Sequence, residues 1–446
     1  MNLFEKLKIR ADEKKPLRIG LIGAGKFGSM YLAQALKSPG IHIVSIADIN
    51  VPQAKMQLKK VGWPDAKVNA SSIDEAFKNG STCVSDDWQL TTSHPSIEIV
   101  IECTGNPIAA VEHCLNSFKH QKHVLNVTVE ADALCGLMLA KRAKQAEVIY
   151  SLAYGDQPAL AVELIDWART SGFPIVAAGR GHKWLPHYRE STPETVWKHW
   201  GITEEEAKLG GLNPKMFNAF LDGSKPAIES AAIANSANLN VPKNGLSFPS
   251  GSIDDIPTLM RPRSDGGILH QTGLVEVVSC IKKDGTPLPY DIRKGVWVCI
   301  KAETDYIRQC FKEYKVVTDP TGQYMSMYRR WHMIGLELGI SVASIGLRKE
   351  PTGAPRVFNA DVIATAKRPL VEGEILDGEG GHMVFGKLCP AQLSIKSRFL
   401  PLGLANYIKI NRPIEKDQML RWDDVQFDQS IDAYKLRHEQ ECFLKL

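Results

Sequence analysis

The sequence predicts an α/β fold: a Rossmann doubly wound parallel sheet, followed by an α+β catalytic domain and a small β-rich C-terminal domain. The first observation is an apolar run at 17–22 that leads directly into Gly23-x-Gly25-x-x-Gly28 and then into a helical pattern. This is the strand, glycine turn and helix order of a dinucleotide-binding motif. The second observation is the alternation of strand and helix patterns over 20–153, which is typical of a parallel sheet.

Each glycine of this motif has a backbone reason. Gly23 permits a tight turn, Gly25 lets a pyrophosphate approach the backbone, and Gly28 lets the helix pack on the strand. The helix N-terminus then presents N–H groups and a positive dipole end to the phosphates. We therefore expect a dinucleotide to contact six consecutive residues: Gly23, Ala24, Gly25, Lys26, Phe27 and Gly28.

Two later features favour the same ligand. The strand pattern at 41–47 ends in Asp48, about 20 residues past Gly28, where a carboxylate meets ribose hydroxyls. A further strand pattern at 97–102 ends in a turn that we expect beside the nicotinamide ribose, formed by Cys103, Thr104, Gly105 and Asn106. The alternative is a glycine-rich turn in another kind of α/β sheet.

Composition excludes several classes. The net charge is +4 over 446 residues, and no basic tract is present, which argues against a nucleic-acid partner. The nine cysteines include no CxxC pair, so free thiols in a reducing cytoplasm are expected. We find neither a signal peptide nor an apolar stretch of membrane-spanning length, so a cytoplasmic protein without a membrane partner is expected.

The chain is long enough for two or three domains. We place the dinucleotide-binding domain at 1–153 and a catalytic, substrate-binding and dimerisation domain at 154–353. Ala354-Pro355-Arg356 resembles a boundary, and beyond it short β segments alternate with turns. A β-rich domain is therefore expected at 354–446.

A basic stretch follows a predicted strand at 173–179. It contains five cationic or titratable side chains: Arg180, His182, Lys183, His187 and Arg189. Arginine can hold a phosphate or carboxylate through two hydrogen bonds, and Lys183 could stabilise a developing alkoxide. The alternative is a solvated basic loop.

Two groups of acids are further candidates. Asp222, Lys225 and Glu229 could form a proton relay on one helical turn; the alternative is Asp222 as a helix cap with Lys225 and Glu229 as a surface pair. Three acids at predicted strand ends, Glu130, Asp132 and Asp156, could bind a metal or substrate, or could cap the helices that follow.

Longer motifs resemble a known family. The glycine motif and the turn at 103–107 are similar to homoserine-dehydrogenase-type N-terminal domains. Residues 220–235 and 332–337 resemble one subfamily, and residues 364–378 resemble a SAF-type domain. Together these segments resemble the bacterial 1-deoxy-D-xylulose 5-phosphate reductoisomerase-like (DRL) enzymes.

The resemblance implies that a phosphorylated ketose is rearranged to a branched aldehyde, which NADPH reduces to 2-C-methyl-D-erythritol 4-phosphate for isoprenoid synthesis. It also implies Mg²⁺ or Mn²⁺, without identifying the ligands. A homodimer is expected from family habit and from small residues at 335–344 of a predicted helix over 331–344. By this resemblance Arg180, Lys183 and Arg189 become candidates for binding the phosphate, and Asp222, Lys225 and Glu229 become candidates for proton transfer or metal organisation. The catalytic candidates are therefore Arg180, His182, Lys183, Arg189, Asp222, Lys225, Glu229, Asp156 and Glu130.

Some residues depart from this expectation. Asp48 favours NADH, because a carboxylate there repels the 2′-phosphate of NADPH. Residues 127–130 lack the lysine typical of homoserine dehydrogenases, which argues against homoserine as the substrate. Two alternatives therefore stay open: an NAD(P)-dependent dehydrogenase of homoserine-dehydrogenase type acting on an amino-acid semialdehyde or branched sugar acid, and a non-catalytic nucleotide-binding sensor.

Overall fold

The computed structural model describes residues 2–444, which fall into two compact units. The first unit contains the described residues up to Ala159, together with Met333–Ala354 and Ile431–Gln440. The second contains Leu160–His332, Pro355–Ser430 and the described residues from Glu441. The predicted domain division at 153/154 and 353/354 stays a prediction. Within the described part of the chain, no helix has the length and apolar character needed to cross a membrane.

Strands are numbered along the chain. They are β1 (Leu17–Ile22), β2 (Ile41–Ala47), β3 (Cys83–Ser85), β4 (Ile99–Glu102), β5 (His123–Asn126), β6 (Tyr150–Leu152), β7 (Ile175–His182), β8 (Leu274–Ser279), β9 (Val296–Lys301), β10 (Tyr324–Arg329), β11 (Ala360–Ala366), β12 (Ile375–Asp377), β13 (Val384–Pro390), β14 (Asn406–Ile410) and β15 (Val425–Gln426).

Helices are numbered in the same way. They are α1 (Leu3–Asp12), α2 (Lys26–Ala35), α3 (Val51–Lys60), α4 (Ile73–Asn79), α5 (Trp88–Ser93), α6 (Pro107–Lys119), α7 (Val129–Gln145), α8 (Gln157–Thr170), α9 (Val196–Trp200), α10 (Glu204–Leu209), α11 (Pro214–Leu221), α12 (Ser224–Ala237), α13 (Ile256–Leu259), α14 (Asp305–Glu313), α15 (Gly339–Ala343), α16 (Ala391–Ser397) and α17 (Asp432–Phe443).

The first unit contains the predicted doubly wound sheet. Its described strands pair in the order β3-β2-β1-β4-β5-β6, and every pairing is parallel. Strands β1 and β4 are almost entirely buried, as expected when helices cover both faces of a parallel sheet. The order reverses between β1 and β4, so the carboxyl ends of these strands form the crevice where ligands bind in such sheets.

The second unit contains a mixed sheet in the order β10-β9-β7-β8. Strand β7 runs parallel to β8 and antiparallel to β9. Helix α12 is buried along nearly its whole length and packs on β7, β8, β11 and β13. The β-rich segment after Pro355 is joined to this unit at α12, where Asn235 Nδ2 donates to the Ala360 carbonyl over 2.9 Å.

Two predicted elements are wrong in extent. The strand expected at 173–179 continues to His182, because Arg180 and His182 are buried and their backbone pairs with β8. The helix expected over 331–344 begins only at Gly339. Gly335 has φ 81°, and a Cβ there would lie 2.7 Å from Met30 Cβ, so the chain turns at a close approach to α2. The homodimer stays a prediction, and the part of its argument that needed a helix over 331–338 is lost.

Helix α7 contains a kink whose free backbone groups form hydrogen bonds with side chains of α17. Cys135 has φ −150° and ψ 27° inside α7, which separates the Leu134 carbonyl and the Met138 N–H from their helical partners. Arg437 Nη1 and Gln440 Nε2 donate to the Leu134 carbonyl over 3.1 and 3.2 Å, and Gln440 Oε1 accepts from Met138 N over 3.4 Å. Backbone groups that the kink exposes are therefore satisfied by side chains of another helix.

We expect Arg437→Met to destabilise the protein by about 1–3 kcal/mol, because it leaves a buried carbonyl under-satisfied. Thermal unfolding measures the effect. Lys435→Met on the exposed face of the same helix is the matched control, and it should cost only a few tenths of a kcal/mol. Equal unfolding temperatures for the two variants would contradict this role of α17.

Candidate active site

The glycine motif forms a tight backbone cradle at the start of α2. Gly23 has φ 95°, and a Cβ there would lie 2.8 Å from the Cys103 carbonyl oxygen. A Cβ on Gly28 would lie 2.3 Å from the Gly23 oxygen, so the helix packs directly on the turn. A Cβ on Gly25 would meet nothing within 4 Å, which leaves open space above the helix N-terminus. These three positions fit the roles that a bound pyrophosphate requires.

Asp48 and Cys103 lie beside this cradle. The Asp48 carboxylate follows β2 and accepts hydrogen bonds from Ala24 N and Asn50 N, each over 2.8 Å. The Cys103 thiol donates to the Gly23 carbonyl over 3.0 Å, which joins the ends of β1 and β4. Burial raises the pKa of Cys103 well above its ordinary value, so the thiol stays protonated.

The second predicted cofactor turn is exposed and well held. Thr104, Gly105 and Asn106 are exposed, and Asn106 caps α6 by accepting from Ile108 N and Ala109 N. The buried carboxylate of Glu102 accepts hydrogen bonds from Thr104 N and Thr104 Oγ1. The Thr128 hydroxyl donates to the same carboxylate and accepts a hydrogen bond from Gly105 N. Sequence reasoning missed Glu102 and Thr128 because their hydrogen bonds join the ends of neighbouring strands.

The acids at the strand ends divide into separate roles. Glu130 and Asp132 lie in the first turn of α7, whose N-cap is Thr128, so the capping alternative is wrong for both. Asp132 Oδ1 and Oδ2 accept from Tyr150 Oη over 2.6 Å and Asn126 Nδ2 over 2.9 Å. Burial raises the pKa of Asp132 to about 8, and Asp156 and Glu130 add to the rise. Asp156 Oδ1 accepts from Gln157 N at the start of α8.

The divalent cation implied by the resemblance is not supported. Within residues 2–444, no three or more His, Cys, Asp or Glu side chains form a group that could hold a metal ion. Asp222 and Glu229 each pair with a cation, which leaves them unsuited as metal ligands.

The basic stretch in the second unit is not a solvated loop. Arg180 and His182 are fully buried in β7, and Arg180 forms an ion pair with Glu229 of α12. His182 Nε2 donates to the Phe220 carbonyl over 2.8 Å, and Lys183 Nζ donates to the His199 and Trp200 carbonyls over 2.8 and 3.1 Å. The side chain of His187 is exposed.

Sequence reasoning missed two further members of this group, Lys294 and His332. Burial, then Arg180 and Lys294, lower the pKa of His332 to about 3, and the same causes hold the pKa of His182 well below its ordinary value. Lys294 lies among aromatic rings, and burial and Arg180 lower its pKa to about 8. We call these residues the cationic cluster: Arg180, His182, Lys183, Lys294 and His332.

The two acids of the predicted relay of Asp222, Lys225 and Glu229 pair with cations outside it. Asp222 is buried and pairs with Lys367 over 2.7 Å, whereas Glu229 pairs with Arg180. Helix α12 has Gly223 as its N-cap, and Lys225 lies in its first turn. Because Glu229 is buried, the alternative of a surface pair with Lys225 is also wrong. Burial raises the pKa of Asp222, and Lys367 opposes that rise.

Arg189 lies apart from this ion pairing. Its guanidinium lies 5.4 Å from the centroid of the Trp184 ring and 4.9 Å from that of Phe385. Arg189 Nε and Trp184 Nε1 are buried without a hydrogen-bond partner. Trp184 Nε1 is also 3.6 Å from the position of a Cβ on Gly223, the N-cap of α12. Two unmatched donors near a helix N-terminus favour an anionic ligand.

The open space at Gly25 predicts that a substitution there weakens cofactor binding without affecting stability. We expect Gly25→Ala to fold with an unchanged unfolding temperature, because the added methyl meets no protein atom within 4 Å. It should weaken NAD(H) or NADP(H) binding about 10-fold or more, since overpacking costs about 1–3 kcal/mol. Fluorescence titration measures the affinity. Gly339→Ala, which is equally unobstructed, is the control; equal affinities would place the pyrophosphate elsewhere.

The raised pKa of Asp132 predicts that the stability of the protein depends on pH. This raised pKa means that the folded protein retains a proton that the unfolded chain releases, so its contribution to stability is greatest at low pH and is lost as pH rises towards about 8. The fall in the free energy of unfolding between pH 5 and 8, measured by urea unfolding, should be smaller in Asp132→Asn by up to about 4 kcal/mol. Exposed Asp65→Asn should keep the wild-type slope.

Comparisons with known proteins match two parts of the chain. Residues 17–127 match the family model described as the oxidoreductase family, NAD-binding Rossmann fold, and residues 155–338 match the one described as oxidoreductase DRL, catalytic domain. The comparison with curated proteins gave no match.

Solved structures give distant likenesses. An NAD-binding oxidoreductase from Klebsiella pneumoniae has 18% identity and a TM-score of 0.28, covering 40% of this chain and 47% of that one. A homoserine dehydrogenase from Thiobacillus denitrificans has 17% identity and a TM-score of 0.35, covering 50% and 49%. Each match therefore spans less than half of the length of the solved protein. Structural similarity this low gives no information on the substrate or the activity of the present chain. The two family matches support an NAD(P)-dependent oxidoreductase.

Proposed function

We propose that this protein is an NADPH-dependent reductoisomerase that converts 1-deoxy-D-xylulose 5-phosphate to 2-C-methyl-D-erythritol 4-phosphate. The observation that carries the proposal is the match of residues 155–338 to the DRL catalytic domain. The cationic cluster lies on β7 and the segments beside it, within the same range. Buried positive charge suits a phosphorylated ketose whose oxygens become negative during rearrangement.

Arg189 is the side chain that we assign to the substrate phosphate. Arg180 is already paired with Glu229, and the Lys183 ammonium already donates to two carbonyls. Arg189 and Trp184 retain buried donors without partners, and charge-assisted hydrogen bonds from arginine suit a phosphate. Asp222 also faces Arg189, but its charge is offset by Lys367.

The remaining residues would orient and polarise the ketose. Reduced nicotinamide, when bound at the glycine cradle, supplies a hydride to the rearranged aldehyde. Arg180 is held in place by its ion pair with Glu229 and, after burial, is the largest cause that lowers the pKa values of Lys294 and His332. His182 and His332 have lowered pKa values, so at neutral pH they act as neutral hydrogen-bonding groups.

The test follows cofactor absorbance with purified protein, 1-deoxy-D-xylulose 5-phosphate and either NADPH or NADH. The expected result is ketose-dependent oxidation of NADPH with the branched polyol phosphate as product. Faster turnover with NADH would show that Asp48 selects the cofactor. Parallel reactions with added Mg²⁺ or with a chelator measure any metal requirement. Cofactor binding without ketose turnover would favour a dehydrogenase acting on another aldehyde or sugar acid, and no turnover with any carbonyl would favour the sensor.

Arg189→Met gives a sharper prediction. Losing a charge-assisted contact costs about 1.5–3 kcal/mol, so the KM for the ketose phosphate should rise about 10- to 100-fold. The affinity for NADPH should be unchanged. Arg398→Met removes an exposed surface pair with Asp423 in the same unit and serves as the control. An unchanged KM in Arg189→Met would remove Arg189 from the phosphate site.

A further inference from the structure

The turn at 291–295 holds Lys294 rigidly. Gly295 N donates to the Ile292 carbonyl over 2.9 Å, and Gly181 N of β7 donates to the Gly295 carbonyl over 2.8 Å. Arg330 Nε, just after β10, donates to the Asp291 carbonyl over 2.7 Å. A Cβ on Gly181 would lie 2.4 Å from the Arg293 oxygen, so strand and turn are in close contact. The backbone that carries Lys294 is therefore fixed on both sides.

The Lys294 amine is enclosed by aromatic rings. Its Nζ lies 3.9 Å from the centroid of the Trp200 ring and 5.9 Å from that of Phe220. The backbone carbonyls of both aromatic residues accept hydrogen bonds, Trp200 from Lys183 and Phe220 from His182. Members of the cationic cluster thus fix the walls around the amine, which is the preorganisation that a reacting group requires.

Charged and titratable groups face Lys294 from several elements. Arg180, His182 and Lys183 lie on or directly after β7, Cys280 follows β8, and His332 follows β10 and hydrogen-bonds the Lys294 backbone. Arg180 carries its own counter-charge, Glu229. Burial and Arg180 lower the pKa of Lys294 to about 8, so its amine exchanges protons near neutral pH.

We propose that Lys294 is the catalytic acid that protonates the substrate oxygen when the carbonyl is reduced. The inference rests on the proposed reduction of an aldehyde. Hydride adds to the carbonyl carbon, and the C=O π electrons move to the oxygen. An N–H bond of the Lys294 ammonium breaks as the O–H bond forms. The neutral amine then takes a proton from water.

Other cluster members suit this step less well. Lys183 Nζ already donates to two backbone carbonyls. His182 and His332 have pKa values far below neutral pH, so the imidazolium form needed to donate a proton is scarce. Arg180 stays protonated at any physiological pH and cannot act as an acid. Lys294 combines a fixed position with a pKa near the working pH.

The kinetic test compares wild type, Lys294→Met, Lys294→Arg and Lys294→Ala over pH 6–10, with 1-deoxy-D-xylulose 5-phosphate and NADPH. Wild-type kcat should fall above about pH 8, because the acid must be protonated. Lys294→Met should lower kcat about 100-fold or more, with NADPH affinity unchanged. In Lys294→Arg the fall of kcat above pH 8 should disappear, because the guanidinium stays protonated. Added ethylammonium should partly restore the kcat of Lys294→Ala by replacing the missing acid, which would not happen if the lysine were only structural. Exposed Lys282→Met is the control.

A second measurement needs no substrate. Trace acetylation with acetic anhydride across pH, read by peptide mass spectrometry, should show Lys294 half-reactive near pH 8, below the exposed Lys282. The assignment is overturned if the two lysines give the same profile, or if Lys294→Met turns over like wild type. A wild-type protein that reduces another aldehyde but not the ketose rejects the proposed function alone, and the same Lys294 variants assayed with that aldehyde then decide the assignment of Lys294.

Discussion

The buried ion pair between Arg180 and Glu229 is the interaction on which the second unit depends. It places a permanent positive charge inside β7 and anchors α12, the helix against which both the mixed sheet and the β-rich segment pack. Such a charge is tolerated only with its partner, since removing one member of a buried pair typically costs about 3–5 kcal/mol. Burial, and after it this charge, lower the pKa values of His182, Lys294 and His332. The ion pair therefore affects both the packing of the second unit and the titration of its neighbours.

Lys367 plays a comparable role for the β-rich segment. Its ammonium contacts the Asp222 carboxylate and donates to the carbonyls of Ser191 and Gly381 over 3.0 and 2.7 Å, so all three of its hydrogens are used. One buried lysine thus joins the end of β11, the loop after β7 and the start of α12. Asp222 and Lys367 thus hold together three segments that are distant in sequence.

Sequence patterns predicted the first unit well, because its determinants are local. Gly23, Gly25 and Gly28 are defined by spacing, and the parallel strands are read from apolar runs bounded by turns. The second unit was predicted less well. Glu229 pairs with Arg180 and Asp222 with Lys367, and no spacing along the chain reveals partners so distant in sequence. Lys294 lies in a short turn that looks ordinary until Trp200 and Phe220 are brought around it.

The repair of the α7 kink by α17 bears on how the chain acquires its structure. The Leu134 carbonyl and Met138 N–H find their partners in Arg437 and Gln440, residues made some three hundred positions later. Such contacts carry a high loop-closure cost and form late. During synthesis the Rossmann sheet can assemble from its own strands, but the Leu134 carbonyl and the Met138 N–H bond to water until α17 has been made. The unit that contains the first strands of the chain is therefore completed only when α17 packs on it.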